Sequence, residues 1–403
     1  MDNQQKKKFT KIETSEKEFD QRLRAHRHKV IRLVALGIAA VLLIICLIML
    51  FLHFRTYKGY AVEKEINRTD KADAQYKEFG KNLLKYSRDG AFLVDNTGKL
   101  LWNQTYEMND PMVNICKNYV AIASGSGNEV YLADNEKTKG KIDTPMAIRQ
   151  IAMAAQGSVA VLMEEDEDYY ITLYDIEGTA LAHGEFHMEK SGVPLTMAIS
   201  DDCKNLAIAF LDMTEGVVKT TVHFYNFSDA GQEEIDSIVG KFSYPGEMAV
   251  QMDFFDNNKL LLYTDQKAII YNCTDKPKEE KVIAYPGKVQ SIIGDDEYWG
   301  FTCDYDEKNK EGERQTGHAL TLYNMNGEEQ FRKNIAKNNT GIELLENHYV
   351  VVKEEKKCTF FDSKGVEKFK GSFDEPVEVI KKLDTNINYQ MILETKIIEI
   401  KMK

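Results

Sequence analysis

Hydrophobic and polar positions divide the chain at about residue 53. From Leu33 to Leu52 no residue is charged. At about 1.5 Å per residue, a helix over this run spans roughly 30 Å, the thickness of a bilayer's hydrocarbon layer. The run continues into His53, Phe54, Arg55 and Tyr57 with no small-residue cleavage site, so the pattern predicts an uncleaved transmembrane helix over 33–53. Beyond it the periodicity changes: short segments rich in Val, Ile, Tyr and Phe alternate with period two, as half-buried strands do.

Those strands repeat. Several end in Asp or Asn with Gly three residues later: Asp95 to Gly98, Asp175 to Gly178, Asn324 to Gly327 and Asp362 to Gly365. An Asx side chain accepts hydrogen bonds from the backbone two residues on, and Gly supplies the left-handed conformation that returns the chain, so each instance predicts a hairpin. Residues 74–99 match 249–276 almost position for position. Equivalent first strands begin near Met112, Arg149, Leu195, Val250, Val289, Gly341 and Val377, which gives eight starts about 36 to 55 residues apart.

Units of about 40 residues with three or four antiparallel strands are what a β-propeller blade requires, because blades stacked around an axis bury both faces of each sheet. The predicted fold is therefore all-β, a seven- or eight-bladed β-propeller over 74–403 behind one N-terminal transmembrane helix. A β-sandwich is the structural alternative. The last unit, Val377 to Lys403, shows only three strands, so closure calls for an outer strand from the N-terminal part. Seven blades result if the first and last partial units share one. One stretch departs from the strand pattern: Gly231 to Phe242 sets Ile235, Ile238 and Val239 on one helical face with Gly240 as a stop, predicting a short surface helix.

Charge assigns sidedness. The formal net charge is −12, but the first 58 residues carry +7 and the remainder −19. Arg22, Arg24, Arg27, Lys29 and Arg32 crowd the N-terminal flank of the apolar run, whereas Arg55, Lys58, Lys64 and Arg68 are interleaved with acids. The bias places 1–32 in the cytoplasm as a basic tail and, after a juxtamembrane linker over 54–73, the remainder outside. The helix over 33–53 makes the lipid bilayer a partner. Residues 21–29 offer a contact for anionic lipid, with topogenic charge alone as the simpler reading. An ectodomain this acidic disfavours nucleic acid and anionic polymers as partners.

No motif supplies a nucleophile, a metal cluster or a phosphate loop. Asn96-Thr97-Gly98-Lys99 opens no helix and reads as a hairpin turn. Ser124-Gly125-Ser126-Gly127-Asn128 is followed by a strand, not the helix a nucleophile elbow needs. The acidic run Glu164 to Asp168 offers oxygens to a divalent cation but lacks a Gly-punctuated calcium pattern, and a solvated loop explains it as well. His183 and His187 share a strand face without an evident third ligand. Of six cysteines, Cys46 lies in the apolar run, and Cys116, Cys203, Cys273, Cys303 and Cys358 are an odd number at irregular spacing, which argues for packed thiols rather than a disulfide framework. No catalytic, cofactor-binding or metal-binding residue is assigned, and no cofactor is expected. Only Trp102 and Trp299 are present, which argues against quinone-dependent propeller dehydrogenases with their recurrent docking tryptophan.

The stretches Phe79 to Met108 and Phe224 to Phe242 resemble the hallmark segments of an uncharacterised family of clostridial single-pass proteins, the family of unknown function numbered 5711. The resemblance runs from the anchor to the C-terminus. It implies a WD-like or quinoprotein-like propeller ectodomain in a Gram-positive cell envelope, and no activity to transfer. Asp201-Asp202-Cys203-Lys204-Asn205-Leu206-Ala207 resembles the S-P-D-G-K-x-L-A turn of such propellers, with Cys203 where Gly is usual. The expected role is a binding or scaffolding module for an envelope protein or wall component. The alternatives are a propeller hydrolase or lyase acting on wall glycan, and a transmembrane sensor.

Overall fold

The computed structural model describes residues 16–70, 73–213, 216–308 and 313–403. The chain forms two compact units, divided between Thr56 and Tyr57. The first holds one helix, Glu16–Phe54. It begins well before 33 because 16–32 contains neither Gly nor Pro and is built of good helix formers, so nothing stops the helix at the edge of the apolar run. Within Gln21–Phe51 it is long and apolar enough to cross a membrane, and none of its most apolar window is buried.

The second unit is an eight-bladed propeller, eight sheets of four antiparallel strands each. Blades one to seven occupy 75–105, 111–143, 147–187, 193–245, 249–284, 289–334 and 341–372, each running from an inner strand through second and third strands to an outer one. The eight predicted starts coincide with the eight inner strands. The second strands are the most completely buried, as in Asn205–Asp212 and Lys259–Thr264, because each packs against a blade on both sides. Outer strands alternate between buried and exposed, as a rim requires. The core is accordingly a series of apolar layers between successive blades.

The Asx hairpin is the commonest local device. In each of the first seven blades the third strand ends at Asp95, Asp134, Asp175, Asn226, Asn272, Asn324 or Asp362, whose Oδ1 accepts the backbone N–H two residues on. Gly98, Gly178, Gly327 and Gly365 hold φ between 70° and 86° in four of these turns. The pairing of third and outer strands is bulged in all seven blades, which adds local twist.

Blade eight lacks this hairpin because its outer strand comes from elsewhere. The strands Val377–Lys382, Asn388–Leu393 and Lys396–Met402 are completed by Tyr60–Asn67, which pairs antiparallel with Lys396–Met402. The segment 54–73, expected as a linker, therefore carries the closing strand, and the propeller unit begins at Tyr57 instead of 74. Gly231 to Phe242 also differs from expectation. A four-residue helix, Asp229–Gln232, and a short 3-10 turn, Ile235–Ser237, lead directly into the outer strand Ile238–Pro245. Pairing with the third strand outweighs the weak helical propensity of Ile238 and Val239, and Ile235 is left 84% exposed.

The junction of blades eight and one is clasped by two buried cations. At its start, Arg68 donates to Asp70 Oδ2 (3.1 and 3.2 Å), to Glu378 Oε2 (2.7 Å) and to the Leu393 carbonyl (2.6 Å), while Tyr76 donates to the same Asp70 oxygen (2.7 Å). At the opposite end Lys381, only 1% exposed, donates to the Lys81 carbonyl (2.6 Å) and to Asn96 Oδ1. Removing one partner of a buried ion pair typically costs about 3 kcal/mol or more. Arg68→Ala is therefore expected to lower the stability of the propeller by about that amount, measured by equilibrium urea unfolding in detergent micelles. An exposed control, Lys204→Ala, should shift the midpoint little.

Candidate ligand pocket at the rim

A ring of blades offers two places to hold a ligand, the axis and the clefts between blades. Along the axis the inner strands are mostly half-buried, with Glu78, Asp253 and Glu343 among them. Burial, reinforced by the charges of Glu346 and Glu343, pushes the Glu78 carboxyl up to about 8, with Lys381 opposing. Burial also raises Glu343, against the pull of Lys353, whose Nζ donates to Glu343 Oε2 at 3.3 Å. Glu343 also accepts the Ile380 N–H at 3.4 Å, which ties blade seven to blade eight.

One mouth of the channel is obstructed. Lys117, in the turn after the first strand of blade two, pairs with Asp296 in the matching turn of blade six and lies 3.9 Å from Asp201 Oδ2 of blade four. Blades two and six are opposite in a ring of eight, so this contact crosses the axis. Cys116 donates to Asp201 Oδ1 at 3.4 Å, and burial together with that carboxylate pushes its thiol up to about 12, the reverse of an activated nucleophile.

The cleft between blades three and four is different. The outer strand of each of the first seven blades presents two residues toward the next blade, and register identifies them: Trp102 and Gln104, Gly140 and Ile142, Ala182 and Gly184, Gly240 and Phe242, Lys281 and Ile283, Phe331 and Lys333, Phe369 and Gly371. Only blade three carries two small residues there. The space they leave is a cavity of about 660 Å³, in the size range of small-molecule sites. Its floor is apolar and aromatic: Ile171, Leu173, Phe186, Leu206 and Tyr225, with the Phe186 ring 5.4 Å from Phe210 and Phe210 4.8 Å from the His223 imidazole.

Polar groups converge on that floor. His223 is 7% exposed and its Nδ1 lies 3.4 Å from the Tyr225 hydroxyl. Burial, helped by the Lys241 ammonium, pushes the imidazole down to about 4, so it is neutral at pH 7 and offers one donor and one acceptor. Burial and then the Asp236 carboxylate raise Tyr225, which stays a phenol. Asp236 and Ser237 adopt φ of 55° and 56°, two consecutive non-glycine residues in the left-handed region.

The residues singled out from sequence fall elsewhere or at its edge. His183 lines the pocket, but His187 does not share a site with it. Instead His187 sits between Asp168 (Nδ1 to Oδ1, 2.8 Å) and Glu185 (Nε2 to Oε1, 3.8 Å). The three could hold a metal ion by proximity. The acidic run forms the turn between second and third strands of blade three, with Asp166 at φ 56°. Ser124 to Asn128 and Asn96 to Lys99 are hairpin turns as expected, and Asn96 serves the blade-eight lysine. Cys203 occupies the left-handed position of its turn at φ 62°, and the turn closes through the Cys203 N–H to the Ser200 carbonyl at 2.9 Å, so cysteine replaces Gly without loss of the bend. All six cysteines are free. The pocket itself was missed. Its signal is the Ala182-x-Gly184 pair, readable only once the outer strands are aligned.

A family model described as a family of unknown function (DUF5711) matches residues 53–402. The chain belongs to this family. No curated protein matches it in sequence. Among solved structures, the DUF5711 chain is similar to BamB from Moraxella catarrhalis (11% identity, 85% of this chain and 100% of that one, TM-score 0.48). It is also similar to Sqt1 from Saccharomyces cerevisiae (11% identity, 86% and 98%, TM-score 0.49) and to the computationally designed Ika8 protein (10% identity, 80% and 97%, TM-score 0.46). Likeness at this level does not extend to function.

The depressed His223 makes the propeller acid-sensitive. Between the ordinary histidine value of 6.5 and about 4 the unfolded chain binds a proton that the folded chain refuses, so this contribution to stability is full above 6.5 and declines as pH falls through that window. Thermal unfolding across pH 4 to 7 is expected to show a smaller acid loss for His223→Phe than for the native chain. Parallel curves would remove the assignment.

Proposed function

We propose that this DUF5711 protein is a single-pass membrane protein of the cell envelope whose propeller, held outside the membrane, is a binding module with its recognition site in the cleft between blades three and four. The observation that carries the reading is that cleft: a cavity with an apolar, aromatic floor and polar lips, at the one outer-strand pair that carries no large side chain. Pockets of this composition are the ordinary sites of ligand recognition. The placement is supported by the apolar stretch within Gln21–Phe51 and by the basic residues on its N-terminal side. In this arrangement 1–32 is cytoplasmic, 33–53 contacts lipid, and the partner is an envelope protein or wall component.

The rival reading, a propeller hydrolase or lyase, draws on the high Glu78 carboxyl at the axis. The adjoining carboxylate Glu343 is engaged by Lys353 and a backbone N–H, and Lys117 crosses the axis at one mouth, which favours a structural role for this group.

Two measurements test the proposal. In intact cells a membrane-impermeant maleimide is expected to label Lys403→Cys and to leave Thr10→Cys unlabelled, whereas the reverse pattern overturns the sidedness. A photo-crosslinking residue at Phe227, 37% exposed in the lining of the cleft, is expected to give discrete adducts in cells that disappear when Ala182→Trp fills the cavity. Adducts indifferent to the filling, or none, count against recognition at this site.

A further inference from the structure

Two opposite charges stand at the lips of the pocket. Among the described residues, neither the Lys241 ammonium nor the Asp236 carboxylate forms a side-chain hydrogen bond or ion pair, although both stand close enough to the pocket's polar floor to shift it: Lys241 lowers His223 and Asp236 raises Tyr225. Asp236 is moreover held in the left-handed region with Ser237 beside it, a conformation that must be stabilised by its surroundings. The cavity thus has the Asp236 carboxylate and the Lys241 ammonium at separate points of its lip, a second carboxylate, Glu185, that faces His187, two neutral hydrogen-bonding groups behind them, and an apolar floor.

Spacing sets the size of the complement. Lys241 lies three residues into the outer strand Ile238–Pro245, and Asp236 precedes that strand. Five residues separate them, three of those steps in the strand at about 3.3 Å each, so their backbones are set roughly 10 to 16 Å apart. A free amino acid is too short to meet both. An extended chain of three residues spans about 10 Å, so its ammonium reaches Asp236 while its carboxylate reaches Lys241. Its side chains then face Ile171, Leu173 and Phe186, and its amides face neutral His223 and Tyr225. We propose that the blade-three to blade-four pocket binds a short apolar peptide, about three residues long, through both of its free termini. This rests on the reading of the cleft as the recognition site and names the ligand class that it takes.

The test is calorimetric titration of the full-length protein in lipid nanodiscs with leucyl-alanyl-leucine and its blocked forms. Saturable binding is expected, weakened at least tenfold by either N-acetylation or C-terminal amidation. Lys241→Met should reproduce the loss for the free acid and add nothing for the amide. Asp236→Asn, which tolerates the left-handed backbone, should do the same for the ammonium and the acetylated peptide. Absence of binding, or equal affinity for the doubly blocked peptide, overturns the proposal. If crosslinking at Phe227 still depends on an open cavity in that case, only the ligand class falls. If that dependence is absent too, the site itself falls.

Discussion

Everything in this protein depends on the pairing of Tyr60–Asn67 with Lys396–Met402. A propeller blade buries both faces only if it has neighbours on both sides, so an open ring would leave two apolar faces in water and an unpaired strand edge beside them. Joining the first strand of the unit to its last makes closure a contact between distant parts of the chain, whose loop entropy is repaid once by the whole ring. Polar chemistry then concentrates where the ends meet. Arg68 and Lys381 are buried at opposite ends of the junction, and both donate to backbone carbonyls, which cannot be protonated away. Two cations with satisfied donors at that interface favour one register, since a slip of one residue would turn them out of their sites.

The same closure explains which parts of the fold were legible. Period two, the Asx turns and the eight starts are local signals, repeated because every blade solves the same problem, and they predict a propeller of seven or eight blades. The exact number was settled by Tyr60–Asn67, a segment whose alternation is weak and which lies close to the apolar run, so it read as linker. The three strands of the last unit already called for an outer strand from the N-terminal part, as the pairing shows; which segment supplies it was not read. Gly231 to Phe242 misled for the opposite reason: a local helical pattern of three apolar residues was weaker than eight residues of strand pairing.

The pocket was illegible because it is an absence. Alanine and glycine in an outer strand look like any rim position until seven blades are superposed in register, and only then does the lack of a large side chain become visible. The histidines drew attention in the sequence because of their chemistry, yet geometry separates them. His187 is committed to Asp168 and Glu185, while His223, unremarked in a run of strand residues, is the imidazole that faces the cavity.

The energetics of that cleft argue that it is more than loose packing. Burying a Phe or Ile side chain contributes about 1.5 to 3 kcal/mol, so leaving Ala182 and Gly184 where other blades place Trp102, Ile142 or Phe331 forgoes several times the thermal energy at each position. Two consecutive non-glycine residues in the left-handed region cost roughly a further 1 kcal/mol each. A buried neutral histidine adds to the deficit. Single left-handed non-glycine residues occur in other blades too, at Lys117, Ser126, Cys203 and His348. The cleft between blades three and four differs in joining two consecutive ones to a missing pair of large side chains. That combination is what the proposed recognition site requires, because the free energy withheld from folding is then available to whatever fills the space.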